Sequence, residues 1–318
     1  MNILILSVGT RNKVVQYFKN ELNQIGKVIV TDNSSLAPAL YDADKFYLVP
    51  RIDDPDYIEV LKEICKAENI DAMFSLIDPE LSLISKHKQE FEEIGVKVIV
   101  ADYVDVERCF DKYEFHTFLR KHGFKTPNTY KDLQSFKDAL TRKEIDFPVF
   151  VKPRKGSASI NISQAKCLDE VESLFKRFDN LIIQQYMDGE ELGADLYVDM
   201  VSGELVSIFI KKKLKMRAGE TDKSVSIKDE DLFQILIDLA KKLNLYGQND
   251  VDIFKVNNEY YISEVNPRFG GGYPHAYECG VNEPRMIITN LLGKENKVQI
   301  GDYKSGIYMA KYSELKIF

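Results

Sequence analysis

The 318-residue sequence has few cysteines, no long apolar run and no excess of positive charge. Its four cysteines (Cys65, Cys109, Cys167 and Cys279) lie far apart without a Cys-x-x-Cys pair, so we expect buried thiols in a reducing compartment rather than a zinc site. No apolar stretch approaches the roughly 20 residues that a membrane-spanning helix requires. Asp and Glu outnumber Lys and Arg by 50 to 43, which argues against broad binding to nucleic acid or membranes. These absences predict a soluble, cytoplasmic protein with room for two domains.

Common nucleotide-binding motifs are missing as well. The loop after the first apolar run has one glycine, Gly9, and no G-x-G-x-x-G, so dinucleotide binding is poorly supported, and there is no P-loop sequence G-x-x-x-x-G-K-[ST]. The first hundred residues do contain short apolar runs that alternate with helical patterns, at residues 2–7, 27–32, 46–49, 72–77 and 96–100. This alternation predicts a parallel sheet covered by helices on both faces.

The pattern changes near residue 105, where we place a domain boundary. Beyond it the predicted strands come in antiparallel pairs with short turns, at 149–152 with 160–163, 194–200 with 204–210, and 251–256 with 260–265. Helical stretches lie between these pairs. The fold class predicted for the whole chain is therefore α/β and α+β, a parallel-sheet domain followed by an α+β part.

The third hairpin carries the strongest chemical signal. If Val256 lies opposite Tyr260, Asp252 lies directly across from Glu264, and Asn266 shares their face of the sheet. Two close carboxylates repel unless a cation or a proton intervenes, and such hard oxygen ligands suit Mg²⁺. The alternative is a pair of hydrated surface acids, and a tighter two-residue turn would favour it by separating the acids onto opposite faces. The glycines at 270–272 follow at once and indicate close approach by a ligand, although a flexible loop would look similar.

A basic segment precedes this hairpin. The period of two places Lys211, Lys213, Lys215 and Arg217 on one face of an extended strand, which is typical of a solvated edge strand protected by lysines. Arg217 is the exception, because the chain turns immediately after it. A guanidinium at a turn suits bidentate binding of phosphate or carboxylate.

Two further segments suggest anion and nucleotide binding. Lys152 ends a buried strand, where a charge is costly unless it meets an anion, and the small residues after it could wrap phosphate oxygens with backbone N–H groups. A hairpin turn rich in Gly and Ser is common, however. Residues 182–191 run from an apolar strand through two glutamines to an acidic pair, which could accommodate adenine and ribose.

Taken in order, these segments resemble the ATP-grasp superfamily, specifically carbamoyl-phosphate-synthase-like ATP-grasp proteins and the wider carboxylate–amine ligases. The resemblance spans essentially the whole chain. It implies a pre-ATP-grasp, Rossmann-like domain over residues 1–105 and an ATP-grasp domain over 106–318, with subdomains at about 106–185 and 186–318. The Asp252 to Glu264 spacing and the Glu-x-Asn ending are its most specific parts.

The resemblance also assigns a role to each candidate residue. Lys112 and Lys152 would be the two nucleotide lysines, and Glu191 would hold the ribose. Asp252, Glu264 and Asn266 would bind Mg²⁺ (or Mn²⁺). Arg217 would contact the γ-phosphate or the substrate, and Arg268 the phosphate or acyl phosphate. The remaining residues would form a loop over the phosphates (Lys155, Gly156, Ser157, Ser159) and line the adenine (Gln184, Gln185, Met187).

Three functions are compatible with this resemblance. The first is an ATP- and Mg-dependent ligase that activates a small carboxylate as an acyl phosphate for attack by an amine or ammonia, with Lys152, Arg217 and Arg268 neutralising charge and Asp78 and Glu80 recognising an amino group. The second is phosphorylation of bicarbonate or carbamate, although one ATP-grasp unit without an amidotransferase segment is not expected to make carbamoyl phosphate alone. The third is a regulatory module that binds ATP without chemistry. The partners would be small molecules, with a homodimer possible, and His275 is the one histidine expected to touch substrate.

Overall fold

The computed structural model describes residues 1–156 and 162–318. It begins with a five-stranded parallel sheet in the order β3-β2-β1-β4-β5. The strands are β1 (Asn2–Leu6), β2 (Lys27–Asp32), β3 (Lys45–Leu48), β4 (Ala72–Ser75) and β5 (Lys97–Val98). The helices of this part are α1 (Asn12–Glu21), α2 (Tyr57–Ala67), α3 (Asp78–Lys86) and α4 (Lys88–Glu92), with a 3-10 helix at Pro38–Asp42.

Alternation along β1 shows why both faces of this sheet are covered. Ile3 and Ile5 join one hydrophobic core with Phe18 of α1, whereas Leu4 and Leu6 join a second core with residues of α2 and α3. These four apolar side chains of β1 are fully buried, whereas Asn2 at its start is not. A strand apolar on both faces needs helices on both sides, so the parallel sheet predicted from the sequence is confirmed.

Two helices, α5 (Tyr103–Phe110) and α6 (Lys112–Lys121), lead into a small antiparallel sheet of order β6-β9-β7-β8. Its elements are β6 (Thr129–Tyr130), α7 (Leu133–Thr141), β7 (Val149–Pro153), β8 (Ser163–Ala165), α8 (Leu168–Arg177) and β9 (Leu181–Gln185). The Asp111 carboxylate accepts hydrogen bonds from Tyr113 N and Glu114 N, and it thereby caps α6. This cap fixes Lys112 at the first turn of the helix.

The third sheet is antiparallel and has the order β14-β13-β10-β11-β12-β15. Its strands are β10 (Glu190–Val198), β11 (Leu205–Arg217), β12 (Glu220–Ile227), β13 (Gly247–Val256), β14 (Glu259–Asn266) and β15 (Tyr308–Ala310), and its helices are α9 (Glu230–Lys242), α10 (Tyr273–Glu278) and α11 (Glu283–Leu291). The predicted α+β second part is confirmed. The boundary at residue 105 and the subdomain limits stay predictions.

The lysine-rich strand is not at an edge, and that interpretation of the sequence was wrong. β11 lies between β10 and β12, and Lys211 is 1% exposed. Its ammonium group forms an ion pair with Asp195 on β10. A lysine can be buried there because β10 carries the compensating carboxylate, and a local charge pattern cannot reveal a partner on a neighbouring strand.

In the part of the chain that the structure describes, the helices are all too short or too polar to cross a bilayer.

Candidate active site

A cleft of about 300 Å³ is lined by residues from all three sheets and their loops. Most of the residues predicted to form the site meet there, although they come from distant parts of the sequence. The predicted residues that line the cleft are Lys152, Gln184, Gln185, Met187, Glu191, Asp252, Glu264, Asn266 and Arg268.

The hairpin of β13 and β14 places the two predicted metal ligands, Asp252 and Glu264, opposite each other, as expected. The turn and the register that bring them together differ from the prediction. The turn has two central residues, Asn257 and Asn258, both with positive φ, so Val256 pairs with Glu259 and not with Tyr260. A β-bulge then shifts the register by one residue between Ile253 and Asp252. The bulge restores the pairing of Asp252 with Glu264, which a regular two-residue hairpin would have lost.

The acids at this hairpin are held by cations and are not merely hydrated. The Nζ of Lys213 lies 2.5 Å from Asp252 Oδ1 and 2.9 Å from Glu191 Oε1. Burial, together with the neighbouring charges of Asp250 and Glu264, raises the pKa of Asp252 to about 6 despite Lys213. At neutral pH Asp252 is therefore still mostly ionised, and an added cation would favour this form further.

Two lysines converge on the other acid. The Nζ of Lys112 lies 3.3 Å from Glu264 Oε1 and donates to the carbonyl of Gly156 at 2.6 Å. Burial opposes ionisation of Glu264, but the charges of Lys112 and Lys152 outweigh it and lower its pKa. Burial lowers the pKa of Lys152 itself to about 8, because Glu264 compensates only part of the lost hydration.

Arg268 joins the parallel-sheet domain to the large sheet. Its guanidinium lies 3.0 Å from Asp78 Oδ2 at the start of α3 and 3.2 Å from Asp250 Oδ2 on β13. Although burial opposes the charge, these two acids hold the pKa of Arg268 above its usual value. Asp78 thus orients Arg268 through its Oδ2 atom. The other carboxylate oxygen of Asp78, Oδ1, has no hydrogen-bond partner within residues 1–156 and 162–318.

The second acid proposed to recognise an amino group does not reach the cleft. Glu80 is fully buried and accepts hydrogen bonds from Tyr57 and Ser75. Burial raises its pKa, so this carboxyl group belongs to the core of the parallel-sheet domain. The prediction for Glu80 was wrong because sequence spacing alone did not show which way α3 turns it.

Arg217 and Lys155 lie apart from the other predicted residues. The Arg217 side chain is 61% exposed at the end of β11 and lies 3.6 Å from Asp222. Lys155 forms an ion pair with Glu107 of α5 at 2.7 Å. The structure brings neither cation to the cleft, so their phosphate contacts stay predictions. Ser157 and Ser159 lie outside the described residues.

The residues predicted to surround adenine and ribose line one region of the cleft. Gln185 N donates to the Asn128 carbonyl, and the Gln185 side-chain oxygen accepts from Asn128 N. Gln184 donates to Thr129 Oγ1 at 3.0 Å. Both amides are therefore fixed by residues at the start of β6. Met187, 8% exposed, adds an apolar surface on which a base could stack.

His275 and the glycines after β14 have structural roles. His275 is 2% exposed, its ring nitrogens contact Ser224 Oγ and the Ile307 carbonyl, and burial lowers its pKa to about 4. The expected substrate contact is therefore wrong. A Cβ at Gly270 would lie 2.4 Å from Asp250 Oδ1 and one at Gly272 2.7 Å from Lys211 Cε. The absence of a side chain at Gly270 and Gly272 leaves space for the charged groups of Asp250 and Lys211.

Sequence reasoning assigned no role in the site to several charged residues that line the cleft: Arg11, Lys213, Glu220 and Asp250. Asp250 precedes Asp252 by two residues on the same strand, so the alternation of strand side chains could have found it. Arg11 and Glu220 lie in loops and hairpins of different sheets, and no local pattern connects them.

The donor set fits a nucleotide bound with a divalent cation. Lys152 is buried and has no ion pair among the residues of the described ranges, which suits a phosphate oxygen. The carboxylates of Asp252 and Glu264 and the amide oxygen of Asn266 would be the protein ligands of a bound Mg²⁺. Those same ranges hold no cluster of three or more His, Cys, Asp and Glu residues suited to a metal. Two carboxylates and an amide leave coordination positions for water and phosphate, as Mg²⁺ prefers.

The comparisons with known proteins agree with this arrangement. The model of the PylC-like N-terminal domain matches residues 3–99, and the model of the ATP-grasp domain matches residues 109–272, more than half of the chain. The chain therefore belongs to the ATP-grasp family, as its sequence resemblance indicated. It is an enzyme of the class of ATP-grasp carboxylate–amine ligases, and members of this family use ATP with Mg²⁺.

Individual relatives show how far the likeness extends. A carbamoyl-phosphate synthase from Methanobrevibacter smithii is 29% identical over an alignment of 316 positions, which covers 94% of this chain and 83% of that protein. The carbamoyl phosphate synthase large chain from Pseudothermotoga lettingae is 24% identical, and the match spans 84% of this chain but only 25% of that longer protein.

A solved structure shares the fold. The biotin carboxylase domain of 2-oxoglutarate carboxylase from Hydrogenobacter thermophilus superposes with a TM-score of 0.77 at 17% identity, over 96% of this chain and 73% of that one. That domain is a dimer bound to MgADP and bicarbonate.

Proposed function

We propose that the cleft binds ATP with Mg²⁺ and activates a small carboxylate for attack by an amine or ammonia. The observation that carries this proposal is the ion pair of Lys112 with Glu264, directly across the hairpin from Asp252, in a cleft that the buried Lys152 also lines. Lysine cations beside oxygen ligands in a cleft suit a polyphosphate and its metal ion together. The predicted homodimer and cytoplasmic location stay predictions.

In this proposal each group of cleft residues would bind a different part of ATP and Mg²⁺. Gln184, Gln185 and Met187 would hold the adenine, and Glu191 the ribose. Lys112 and Lys152 would neutralise phosphate oxygens, and Asp252, Glu264 and Asn266 would hold Mg²⁺. Gly156, whose carbonyl already binds Lys112, would begin the loop over the phosphates with Lys155, Ser157 and Ser159. ATP would supply the phosphoryl group that converts the substrate carboxylate into an acyl phosphate, with Mg²⁺ offsetting its negative charge.

The protein's own contribution is alignment and charge neutralisation. Arg268 is fixed by Asp78 and Asp250 beside the metal ligands, so it can stabilise negative charge on the transferring group without reorganising. Arg217 would add a second guanidinium if the β11–β12 hairpin moved over the cleft. The amine then attacks the acyl carbon, the bond to the phosphate oxygen breaks, and phosphate and a proton leave. No side-chain nucleophile is needed.

Trapping with hydroxylamine tests the proposal without knowledge of the amine. The protein would be incubated with ATP, Mg²⁺, hydroxylamine and pools of small carboxylic acids, and the hydroxamate and ADP would be measured. We expect hydroxamate from at least one pool, formed only when ATP and Mg²⁺ are both present. Tight ATP binding without hydroxamate from any pool would contradict the proposal and favour a regulatory module.

A second candidate is phosphorylation of bicarbonate or carbamate. The match to a carbamoyl-phosphate synthase over most of both chains favours it. Bicarbonate-dependent ADP formation in the absence of any organic carboxylate would support this candidate, whereas bicarbonate without effect would contradict it.

A further inference from the structure

One end of the cleft contains an ion pair between the parallel-sheet domain and the large sheet. Arg11 lies in the loop between β1 and α1, and Glu220 begins β12. Arg11 Nη2 lies 3.0 Å from Glu220 Oε1. Both residues line the cleft, with 21% and 35% of their side chains exposed. A ligand in the cleft can therefore contact a cation and an anion that lie side by side.

The backbone around this pair leaves it uncovered. A Cβ at Gly271 would lie 2.7 Å from Arg11 Nη1 and 2.7 Å from the carboxylate carbon of Glu220. A side chain at 271 would force both charged groups to shift. Glycine therefore lets Arg11 and Glu220 pack together and still face the cleft.

The charge of Glu220 does not fully compensate the burial of Arg11. Burial lowers the pKa of Arg11 in spite of Glu220, and the positive charge of Arg268 adds to the effect. A bound anion between Arg11 and Arg268 would relieve this cost. The opposite holds for Glu220, since Arg11 and Lys311 overcome the effect of burial and lower its pKa. Glu220 is thus an ionised acceptor.

Two neighbouring groups add to the pattern. The Nζ of Lys311, just after β15, lies 2.7 Å from Glu220 Oε2 and holds that carboxylate in place. Asp78 is 6% exposed, lines the same cleft and has an Oδ1 that no described residue satisfies. An N–H donor from a ligand would satisfy it.

We propose that Arg11 and Glu220 recognise the two charges of an amino acid, Arg11 its carboxylate and Glu220 its ammonium group. This inference rests on the proposed function and specifies it, because the small carboxylate to be activated is then that of an amino acid. Arg11 would hold the carboxylate beside Arg268, and the free oxygen of Asp78 would accept from the same ammonium group. Lys311 acts through Glu220 and is a positioning residue.

The first experiment compares substrates with the unmodified protein. Three pools are offered with ATP, Mg²⁺ and hydroxylamine: the protein amino acids, the corresponding carboxylic acids without the α-amino group, and the corresponding amines without the carboxylate. We expect hydroxamate from the amino acids at least about tenfold faster than from the des-amino acids, because the des-amino acids lack the charge-assisted contact of the ammonium group with Glu220. The amines should give none and should compete weakly.

The second experiment tests the pair itself. Arg11→Gln is expected to raise the KM for the amino acid at least about tenfold, with the Kd for ATP unchanged, since a charge-assisted contact is lost. Arg11→Lys keeps the charge and should give a smaller increase. Arg51→Gln is the matched control, because Arg51 is an exposed arginine of the same domain that pairs only with Asp53 among the described residues.

The outcomes separate this inference from the proposed function. Absence of hydroxamate from every pool would overturn both. Equal rates with amino acids and des-amino acids would overturn the amino acid assignment and leave carboxylate activation standing. An Arg11→Gln protein with an unchanged KM, or one in which the Kd for ATP rises as much as the KM, would show that the pair only holds the two domains together.

Discussion

Lys213 reaches over the neighbouring strand β10 to Asp252, and its Nζ lies 2.5 Å from Asp252 Oδ1. The residue beneath this contact is Gly193, which pairs with Asp252 on one side and with Lys211 on the other. A Cβ at Gly193 would lie 3.1 Å from Lys213 Cε. The missing side chain therefore opens the path by which a lysine two strands away neutralises a predicted metal ligand.

Removal of this lysine should destabilise the protein. We expect Lys213→Met to lower the free energy of unfolding by about 1–3 kcal/mol, because it leaves the partly exposed carboxylates of Asp252 and Glu191 without their shared cation. Urea denaturation would measure the change. Lys215→Met, two residues along on the exposed part of β11, is the matched control and should change stability little. Equal effects of the two substitutions would contradict the structural role of Lys213.

The metal assignment predicts a loss of activity without a loss of fold. Glu264→Gln should reduce Mg²⁺-dependent turnover at least about 100-fold, because it removes a charged oxygen ligand. The far-UV circular dichroism spectrum of the variant should show that the fold is intact. Glu259→Gln, at the exposed start of the same strand, should keep full turnover. Unchanged turnover in Glu264→Gln would refute the assignment.

The pKa of Lys152 predicts how ATP affinity depends on pH. With a pKa of about 8, Lys152 loses its positive charge as the pH rises from 7 to 9, so its attraction for phosphate falls. The Kd for ATP should rise about tenfold over this range. Lys152→Arg stays charged and should flatten the curve, whereas Lys152→Ala should bind ATP weakly at every pH. Titrations that coincide for Lys152→Ala and the unmodified protein would count against a nucleotide contact.

His275 predicts a loss of stability in acid. Its pKa falls from 6.5 to about 4 on folding, so the unfolded chain takes up a proton first as the pH decreases. Stability is therefore lost between about pH 6.5 and pH 4. This residue should contribute about 2 kcal/mol of the decrease between pH 7 and pH 5. The decrease should be smaller by that amount in His275→Gln. Identical pH profiles of His275→Gln and the unmodified protein would contradict the prediction.

The sequence predicted the parallel sheet because β1 and β2 are apolar on both faces and alternate with helices. It also predicted that Asp252 faces Glu264, although the assumed turn was wrong. The bulge between Ile253 and Asp252 corrected the register, and bulges of this kind depend on contacts with the rest of the sheet. The agreement thus came from two local deviations that cancel.

Long-range partners explain most of what could not be predicted. Lys211 and Lys213 looked like solvated lysines because their acids lie on β10 and β13. His275 looked like a substrate contact because it follows the glycines, yet Ser224 and the carbonyl of Ile307 take up both its ring nitrogens. Spacing along the chain indicates which residues share a face, but it does not reveal which strand packs beside them.

The two ion pairs of Arg268, with Asp78 and Asp250, make the parallel-sheet domain and the large sheet depend on each other. The two acids come from α3 in the parallel-sheet domain and from β13 in the large sheet, so neither part contains the complete set. An ATP-grasp fragment expressed by itself would expose Arg268 to water on the side where Asp78 lay. A chimaera with the first domain of another protein would need a carboxylate at the position of Asp78, just after β4, to hold the guanidinium of Arg268 in place. Gene fusions or exchanges that ignore this one position should yield folded but poorly active hybrids.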